Sequence, residues 1–496
     1  MKRLATGLIL ILFIFLLPPV SRGEEKPLNP GEIYDSSMEL YYKGRCEEAI
    51  GGFSDIIRLS PTSKLVPYSR YMIGLCYLKM EKYKEALDQF ELYLKNYPDG
   101  NRVREAERGV QISKERWKPF STSEAKRVKR RICAQIFYLE GKNFEEAEKK
   151  VKQLKSSGID TLIFRAFQNK GDRTYKFAHP RHEEGVYFKT TFAPVVDDLL
   201  GRMTEIAHRN GLDIFAWMPT RYVTYLLDGR PEYRCKSYNF ETKRIEIGRG
   251  LNLFHPDVLR RLEGLFRDLG RYPIDGILFQ DDLVLRHNED FSPEANKLFL
   301  KEFGYAPHPD IFYVDPYRSN SGKYYVKAYT DQFWSWANWK NRYLMNVAKR
   351  LMGTARELNP NLNFAINLYF ETILNHSSAM AWFSQTLSGA IEKSFDYYAV
   401  MAYHRQTMKE LGMEEVQAID LMAEVAQKAV SLVGDPSKVL MKVQILDWKS
   451  YEVIPKKEVE ELLAQMMIHG NVSLAFVPYI EQFPLQQLKG QWAPAQ

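Results

Sequence analysis

Asp275-Gly276-Ile277-Leu278-Phe279-Gln280-Asp281-Asp282 decides how the rest of this chain is read. Its apolar centre is too short for a helix, and it runs from a glycine into an amide and two acids, the pattern of a buried strand that ends in polar residues. Side chains alternate along a strand, so Gly276, Leu278, Gln280 and Asp282 share one face while Ile277 and Phe279 suit a helix-covered one. On that parity Asp282 projects from the end of the strand into a site, and Asp281 braces it or joins it after a bend. Two adjacent acids repel, which raises one pKa toward the range of a general acid.

Working outward, the same kind of apolar run recurs at 132–138, 159–167, 212–218, 274–280, 362–369, 395–402, 439–446 and 472–478. Helical periodicity falls between the runs, at 144–156, 194–209, 256–269, 325–358, 413–433 and 456–469. Eight strand–helix units over residues 131–486 predict a (β/α)8, TIM-like barrel with enlarged loops. An open doubly wound sheet would place a glycine-rich phosphate turn after its first strand, and Tyr138-Leu139-Glu140-Gly141-Lys142 does not supply one.

In such a barrel the chemistry sits at the C-terminal ends of the strands. Those ends carry Arg165, Trp217, Gln280 with Asp281 and Asp282, Asn367 with Tyr369 and Glu371, Tyr403, Gln444 with Trp448, and Tyr479. Aromatic faces stack on the C–H faces of sugars, amides and carboxylates bind hydroxyls, and a carboxylic acid protonates a glycosidic oxygen. Asp282 and Asp281 are therefore the candidate catalytic acids. The remaining strand-end residues, with Glu289 and Asp290 just downstream, are candidate substrate ligands, although loop acids of this kind are commonly structural.

Residues 31–118 read differently, as an all-α domain. Ala49 and Ala86, Phe53 and Phe90, and Pro61 and Pro98 each stand 37 residues apart, and Gly74-x-x-Tyr77 precedes Tyr83-x-x-Ala86-x-x-x-Phe90. Small residues where helices touch, a large aromatic four residues after the alanine and a closing proline resemble tetratricopeptide repeats. Two repeats and a further helix near 102–117 are expected, with the extra residues of the period lengthening a turn near Ser60 to Val66. Such repeats offer a face to a protein partner; a helical prop for the next domain is the plainer alternative. Residues 119–130, with the basic run Lys126 to Arg131, read as a solvated linker.

Lys2 and Arg3, ten apolar residues from Leu8 to Leu17, a Pro18-Pro19 break and Ser21-Arg22-Gly23 predict a secretory signal peptide over residues 1–23. Ten apolar residues make about 15 Å of helix, half of a bilayer core of about 30 Å, so no membrane span is expected after cleavage. The expected compartment is periplasmic or secreted. The formal charge of +7, or +4 without Lys2, Arg3 and Arg22, is too mild to suggest a nucleic-acid partner. Cys46, Cys76, Cys133 and Cys235 have no zinc-ligand spacing, so neither metal nor cofactor is expected.

DGILFQDD with Glu289-Asp290, DIFAWMP at 213–219, VYFKTTFAPVVDDLLGRM at 186–203 and Gln444-x-x-Asp447-Trp448 together resemble the C-terminal glycoside hydrolase domain of PgaB-type proteins, over about Arg131 to Phe483. That resemblance implies a barrel that binds partly deacetylated poly-β-1,6-N-acetylglucosamine, a biofilm exopolysaccharide, and cleaves it internally with the Asp281–Asp282 acids. The family's N-terminal metal-dependent deacetylase domain is replaced here by the repeats. His179-Pro180-Arg181-His182 is the one histidine pair at a ligand-like spacing and lacks the deacetylase's preceding Asp-Asp strand motif, so no deacetylase activity is expected. The family's usual histidine before the acid pair is Gln280.

These readings converge on an endo-acting glycoside hydrolase of an amino-sugar polysaccharide, tethered through its repeats to a protein of an exopolysaccharide export system. A non-catalytic polysaccharide-binding export chaperone would use the same groove. A repeat scaffold with a degenerate barrel would leave the rim of acids and rings without a purpose.

Overall fold

Eight parallel strands close into a barrel in chain order: β1 Ile132–Ile136, β2 Thr161–Arg165, β3 Asp213–Met218, β4 Gly276–Phe279, β5 Asn363–Leu368, β6 Tyr397–Ala402, β7 Val439–Gln444 and β8 Ser473–Val477, with β8 pairing back onto β1. The computed structural model describes residues 29–80, 82–116, 128–227, 229–319, 324–468 and 470–492. The expected signal segment 1–23 and residues 119–127 of the expected linker lie outside the described residues.

All eight expected strands are present. They read as continuous apolar runs because both faces are covered: helices pack outside and side chains fill the inside. Phe279 stacks on Phe266 of the helix Pro256–Leu269, ring centroids 5.2 Å apart, which puts the odd-numbered residues of β4 outward as the alternation requires. That helix starts where His255 accepts from the Asp257 N–H and Pro256 fixes the first turn. The helix Phe144–Ser156 starts where Asn143 accepts from the Glu146 N–H.

The N-terminal ends of the strands form a floor around Arg131. Its guanidinium donates to Tyr397 Oη at 2.6 Å, Thr161 Oγ1 at 2.9 Å and Asp213 Oδ2 at 2.5 Å, and lies 4.7 Å from the Phe215 ring centroid. Gly276 faces the same space: a Cβ there would meet the Phe215 ring at 2.6 Å. The loops at the opposite end are the enlarged ones. A hairpin of Arg234–Asn239 and Arg244–Leu251 follows β3, and another of Tyr313–Arg318 and Tyr324–Tyr329 follows β4 beyond a helix at Pro293–Phe303.

The second of these hairpins corrects the helix expected over 325–358. Tyr324-Tyr325-Val326-Lys327-Ala328-Tyr329 has the aromatic and β-branched content of a strand, and the helix begins only at Asp331, where Thr330 Oγ1 accepts from the Phe333 N–H. Likewise the helix expected from Pro194 begins at Leu199, because Val195 is drawn into a bridge with Val186.

The helical region forms a compact unit of its own. It holds α1 Pro30–Tyr42, α2 Cys46–Leu59, α3 Val66–Lys79, α4 Tyr83–Asn96 and α5 Val103–Arg116. Phe90 explains the small residues of the repeat. Its ring lies where a Cβ on Gly74 or Gly109 would come within 2.6 or 2.5 Å, so α3 and α5 both close onto α4 across glycine. Ala49, Phe53, Ala86 and Phe90 are fully buried. Among the described residues no helix is long and apolar enough to cross a membrane.

Candidate active site

The two acids at the end of β4 have opposite environments. Asp282 is fully buried. Its Oδ1 accepts from the Thr220 N–H at 2.9 Å and the Thr220 hydroxyl at 2.8 Å, and its Oδ2 accepts from the N–H groups of Arg221 and Tyr222, each at 2.7 Å. This carboxylate ties the loop after β3 to the loop after β4. The expectation that Asp282 projects into the mouth is therefore corrected: β4 ends at Phe279, and the strand's alternation does not carry through the turn that follows.

Asp281 takes that place. It is half-buried, and apart from its own backbone N–H no donor among the described residues engages its carboxyl group. Burial pushes its pKa up, the Lys442 cation opposes this, and the Asp282 charge adds to it. Tyr369 donates from its hydroxyl to the Asp281 backbone carbonyl at 3.2 Å, and Tyr403 feels the same acid.

Lys442 was not foreseen. It sits within β7, buried, and donates from Nζ to Asn367 Oδ1 at 2.9 Å, with Nζ 5.8 Å from the Tyr403 ring centroid. Burial lowers its pKa to about 8, against the pull of Asp281. Asn367 passes the link on, donating from Nδ2 to the Phe279 carbonyl at 3.0 Å, so a chain of bonds runs from the cation to the end of β4. A single lysine inside Val439-Leu440-Met441-Lys442-Val443 was the signal available.

Beside the acid runs a band of rings. Tyr403 meets Trp448 edge-on at 5.6 Å, Trp448 stacks on Phe137 at 6.2 Å, Phe137 meets Trp217 at 4.8 Å, and Trp217 meets Phe167 edge-on at 5.5 Å. The indole N–H groups of Trp217 and Trp448, and Gln280 Oε1, have no partner among the described residues. The band thus offers apolar faces with donors and an acceptor set among them, the composition that suits a sugar ring. Phe137, half-buried at the end of β1, joins the site through these contacts alone.

Other expected ligands serve the scaffold. Arg165 turns to its own loop, donating to the Arg173 carbonyl at 2.6 Å and pairing with Asp172 at 3.5 Å. Gln444 donates to the Leu446 carbonyl at 2.8 Å and accepts from the Gln406 N–H at 3.3 Å. Glu289 pairs with buried Arg221 at 3.1 Å, and Lys340, fully buried, donates to the Glu289 and Arg286 carbonyls. Asp290 accepts from the N–H groups of Lys236 and Ser292, each at 2.8 Å, pinning the first hairpin to the β4 loop; burial pushes its pKa up to about 7. Both acids are buried and engaged by the protein. Tyr479 stands half-buried just past β8, its N–H donating to the Gln135 carbonyl at 2.7 Å.

His179 and His182 are exposed, and no group of three or more metal-ligating side chains occurs among the described residues.

Residues 141–477 match the profile of hypothetical glycosyl hydrolase family 13, and residues 68–100 match a tetratricopeptide repeat. Poly-beta-1,6-N-acetyl-D-glucosamine N-deacetylase of Escherichia coli K12 is 23% identical over 379 residues, 72% of this chain and 51% of that protein. The chain thus spans about half the length of the curated relatives it matches. The PgaB (BpsB) glycoside hydrolase domain of Bordetella bronchiseptica superposes with a TM-score of 0.58 at 21% identity, over 74% of this chain and 100% of that one. A beta-galactosidase from Halorubrum lacusprofundi reaches 0.50 at 12% identity, over 70% of this chain and 52% of its own. At these identities the superpositions show a shared barrel fold. The resemblance to a PgaB-type domain behind tetratricopeptide repeats holds across the sequence and structure comparisons.

Proposed function

The chain belongs to hypothetical glycosyl hydrolase family 13, and from that premise we propose that it cleaves internal bonds of a partly deacetylated poly-β-1,6-N-acetylglucosamine-type polysaccharide. The observation that carries this reading is the division between the two acids: Asp282 is saturated by four donors, while Asp281 is unengaged, raised in pKa and set beside a band of rings. In this reading sugar units stack along Tyr403, Trp448, Phe137 and Trp217. The Asp281 carboxyl gives its proton to the glycosidic oxygen as the C–O bond breaks, water adds to the anomeric carbon, and the water's surplus proton returns to the Asp281 carboxylate. Lys442 and Asn367 hold the geometry and set the charge beside the acid. Asp282 acts through position, keeping the β3 and β4 loops together.

The amino-sugar polymer comes from the relatives' names, and the choice of the barrel as the working part rests on its being the region they share. The repeats are proposed to dock a protein of an export system in the periplasm or outside the cell.

Purified chain incubated with partly deacetylated poly-β-1,6-N-acetylglucosamine should yield short oligosaccharides by mass spectrometry. Polymer that is bound and recovered intact would replace this reading with that of an export chaperone.

A further inference from the structure

Two of the four cysteines meet inside the helical unit, where the barrel chemistry has no use for them. Cys46 is the first residue of α2, and Cys76 lies in the last turn of α3. The two helices pack on one another and are joined through residues 60–65, so the start of one lies against the end of the other. Two contacts bracket that meeting point. Lys82 Nζ, just past α3, lies 3.6 Å from Glu47 Oε1, and Lys79 Nζ donates to the Tyr41 carbonyl, at the end of α1, at 3.0 Å. Between them the Cys76 thiol donates to the Cys46 sulfur. Both side chains are buried in one apolar cluster with Ala49, Phe53, Ile56 and Ile73. Cys133, in β1, and Cys235, in the hairpin after β3, belong to the barrel, and all four cysteines are unbridged here.

The helical unit gains from a cross-link at this place. Stacked repeats take about three copies to bury a continuous core, and this unit has two and one further helix, with its apolar side chains divided between two small clusters. Two sulfurs already in contact across a helix pair need only a small approach to reach the S–S bond length of about 2.05 Å. Burial raises the Cys46 pKa and pushes that of Cys76 up to about 12, so neither is a ready thiolate once the helices have closed. The bond therefore forms while the pair is still open.

We propose that Cys46 and Cys76 are a disulfide site, at which the chain in an oxidising compartment acquires a bond that fastens α2 to α3 and, with them, the face the repeats offer to a partner. This rests on the expected export of the chain, since disulfides form and persist outside the reducing cytosol. The oxidant is itself a disulfide. One cysteine thiolate attacks it, giving a mixed disulfide and releasing one thiolate of the oxidant, and the second cysteine thiolate displaces the other. In sum two protein thiols give up two electrons and two protons, and the oxidant's disulfide is reduced to two thiols.

The full chain, reduced and unfolded in urea, is refolded with oxidised glutathione, its remaining thiols are alkylated, and it is digested with trypsin. Peptides 46–58 and 71–79 should be recovered as one species lighter by two hydrogens than their sum, with Cys133 and Cys235 alkylated. Reductant should lower the melting temperature of residues 30–116, followed by proteolysis across a temperature series, by roughly 10 °C. In Cys46→Ala/Cys76→Ala reductant should change nothing. Free thiols at both positions, glutathione held at each without a link between them, or a bridge to Cys133 or Cys235 would overturn the proposal. A bridge whose reduction leaves the melting of the repeats unmoved would overturn its fastening role. Chain that stays unexported in cells with both thiols free, but bridges on refolding, would overturn the export reading and leave the site standing.

Discussion

The floor and the mouth of the barrel are built from the same kinds of residue and treat them in opposite ways. At the floor Arg131 is held by Tyr397, Thr161 and Asp213, and Tyr397 in turn donates to the Lys129 carbonyl at 2.7 Å. At the mouth the indole N–H groups of Trp217 and Trp448, Gln280 Oε1 and Glu371 Oε2 have no partner among the described residues, and the Asp281 carboxyl is met only by its own backbone N–H. Polar groups enclosed by protein normally find one another. Of the mouth groups that do not, the Asp281 carboxyl and the two indoles are the ones the proposed reading assigns to a ligand. Asp281 and Asp282 compress the same contrast into two successive residues.

Four substitutions probe the contrast, taken from the largest expected effect downward. Asp281→Asn keeps the shape of the side chain and removes its exchangeable proton, so turnover of the polymer should fall by about 10²–10⁴ with binding kept, measured as kcat by reducing-end assay. Arg131→Met should leave the mouth intact and cost about 3 kcal/mol of stability in urea unfolding, since Asp213 and Tyr397 lose a buried partner. A stability within error of wild type would mean that the floor is not the clamp described here.

Trp448→Ala should weaken polymer affinity by roughly three- to tenfold with kcat little changed, because it removes stacking surface and no proton. The smallest effect concerns pH and stability. A carboxyl whose folded pKa is raised contributes stability that is present below its unfolded pKa and lost as pH climbs through the folded one. Asp290, at about 7 in the folded chain, should therefore make stability decline between about pH 4 and pH 7. In Asp290→Asn that part of the decline should vanish in melting curves collected across the range.

The sequence revealed the barrel more fully than the site, for physical reasons. Strands buried on both faces show as unbroken apolar runs, so all eight were legible, as was Phe90 with its small neighbours in the repeats. The hairpins at 234–251 and 313–329 were not read, since their strands carry exposed polar residues and lack a buried face. At the mouth, Asp281, Trp217, Trp448, Tyr369 and Tyr403 were marked by their position after strands. Their ranking was not: whether an acid is left half-buried or is held by three backbone N–H groups and a hydroxyl depends on a turn of a few residues, and Asp282 differs from Asp281 in nothing that the chain's spelling shows. Phe137 was noticed only as part of an apolar run, and Arg165, Gln444, Glu289 and Asp290 joined loops whose course no local pattern fixes.

The central claim, that Asp281 is the proton donor, is tested most directly by changing how much protonation the leaving group needs. Wild type and Asp281→Asn are compared on the polymer and on a 4-nitrophenyl β-glycoside of the same amino-sugar oligomer, whose leaving group departs without a proton. The account predicts that Asp281→Asn loses about 10²–10⁴ in kcat/KM on the polymer but stays within roughly tenfold of wild type on the nitrophenyl substrate. Equal losses on both substrates, or no loss on either, would contradict it.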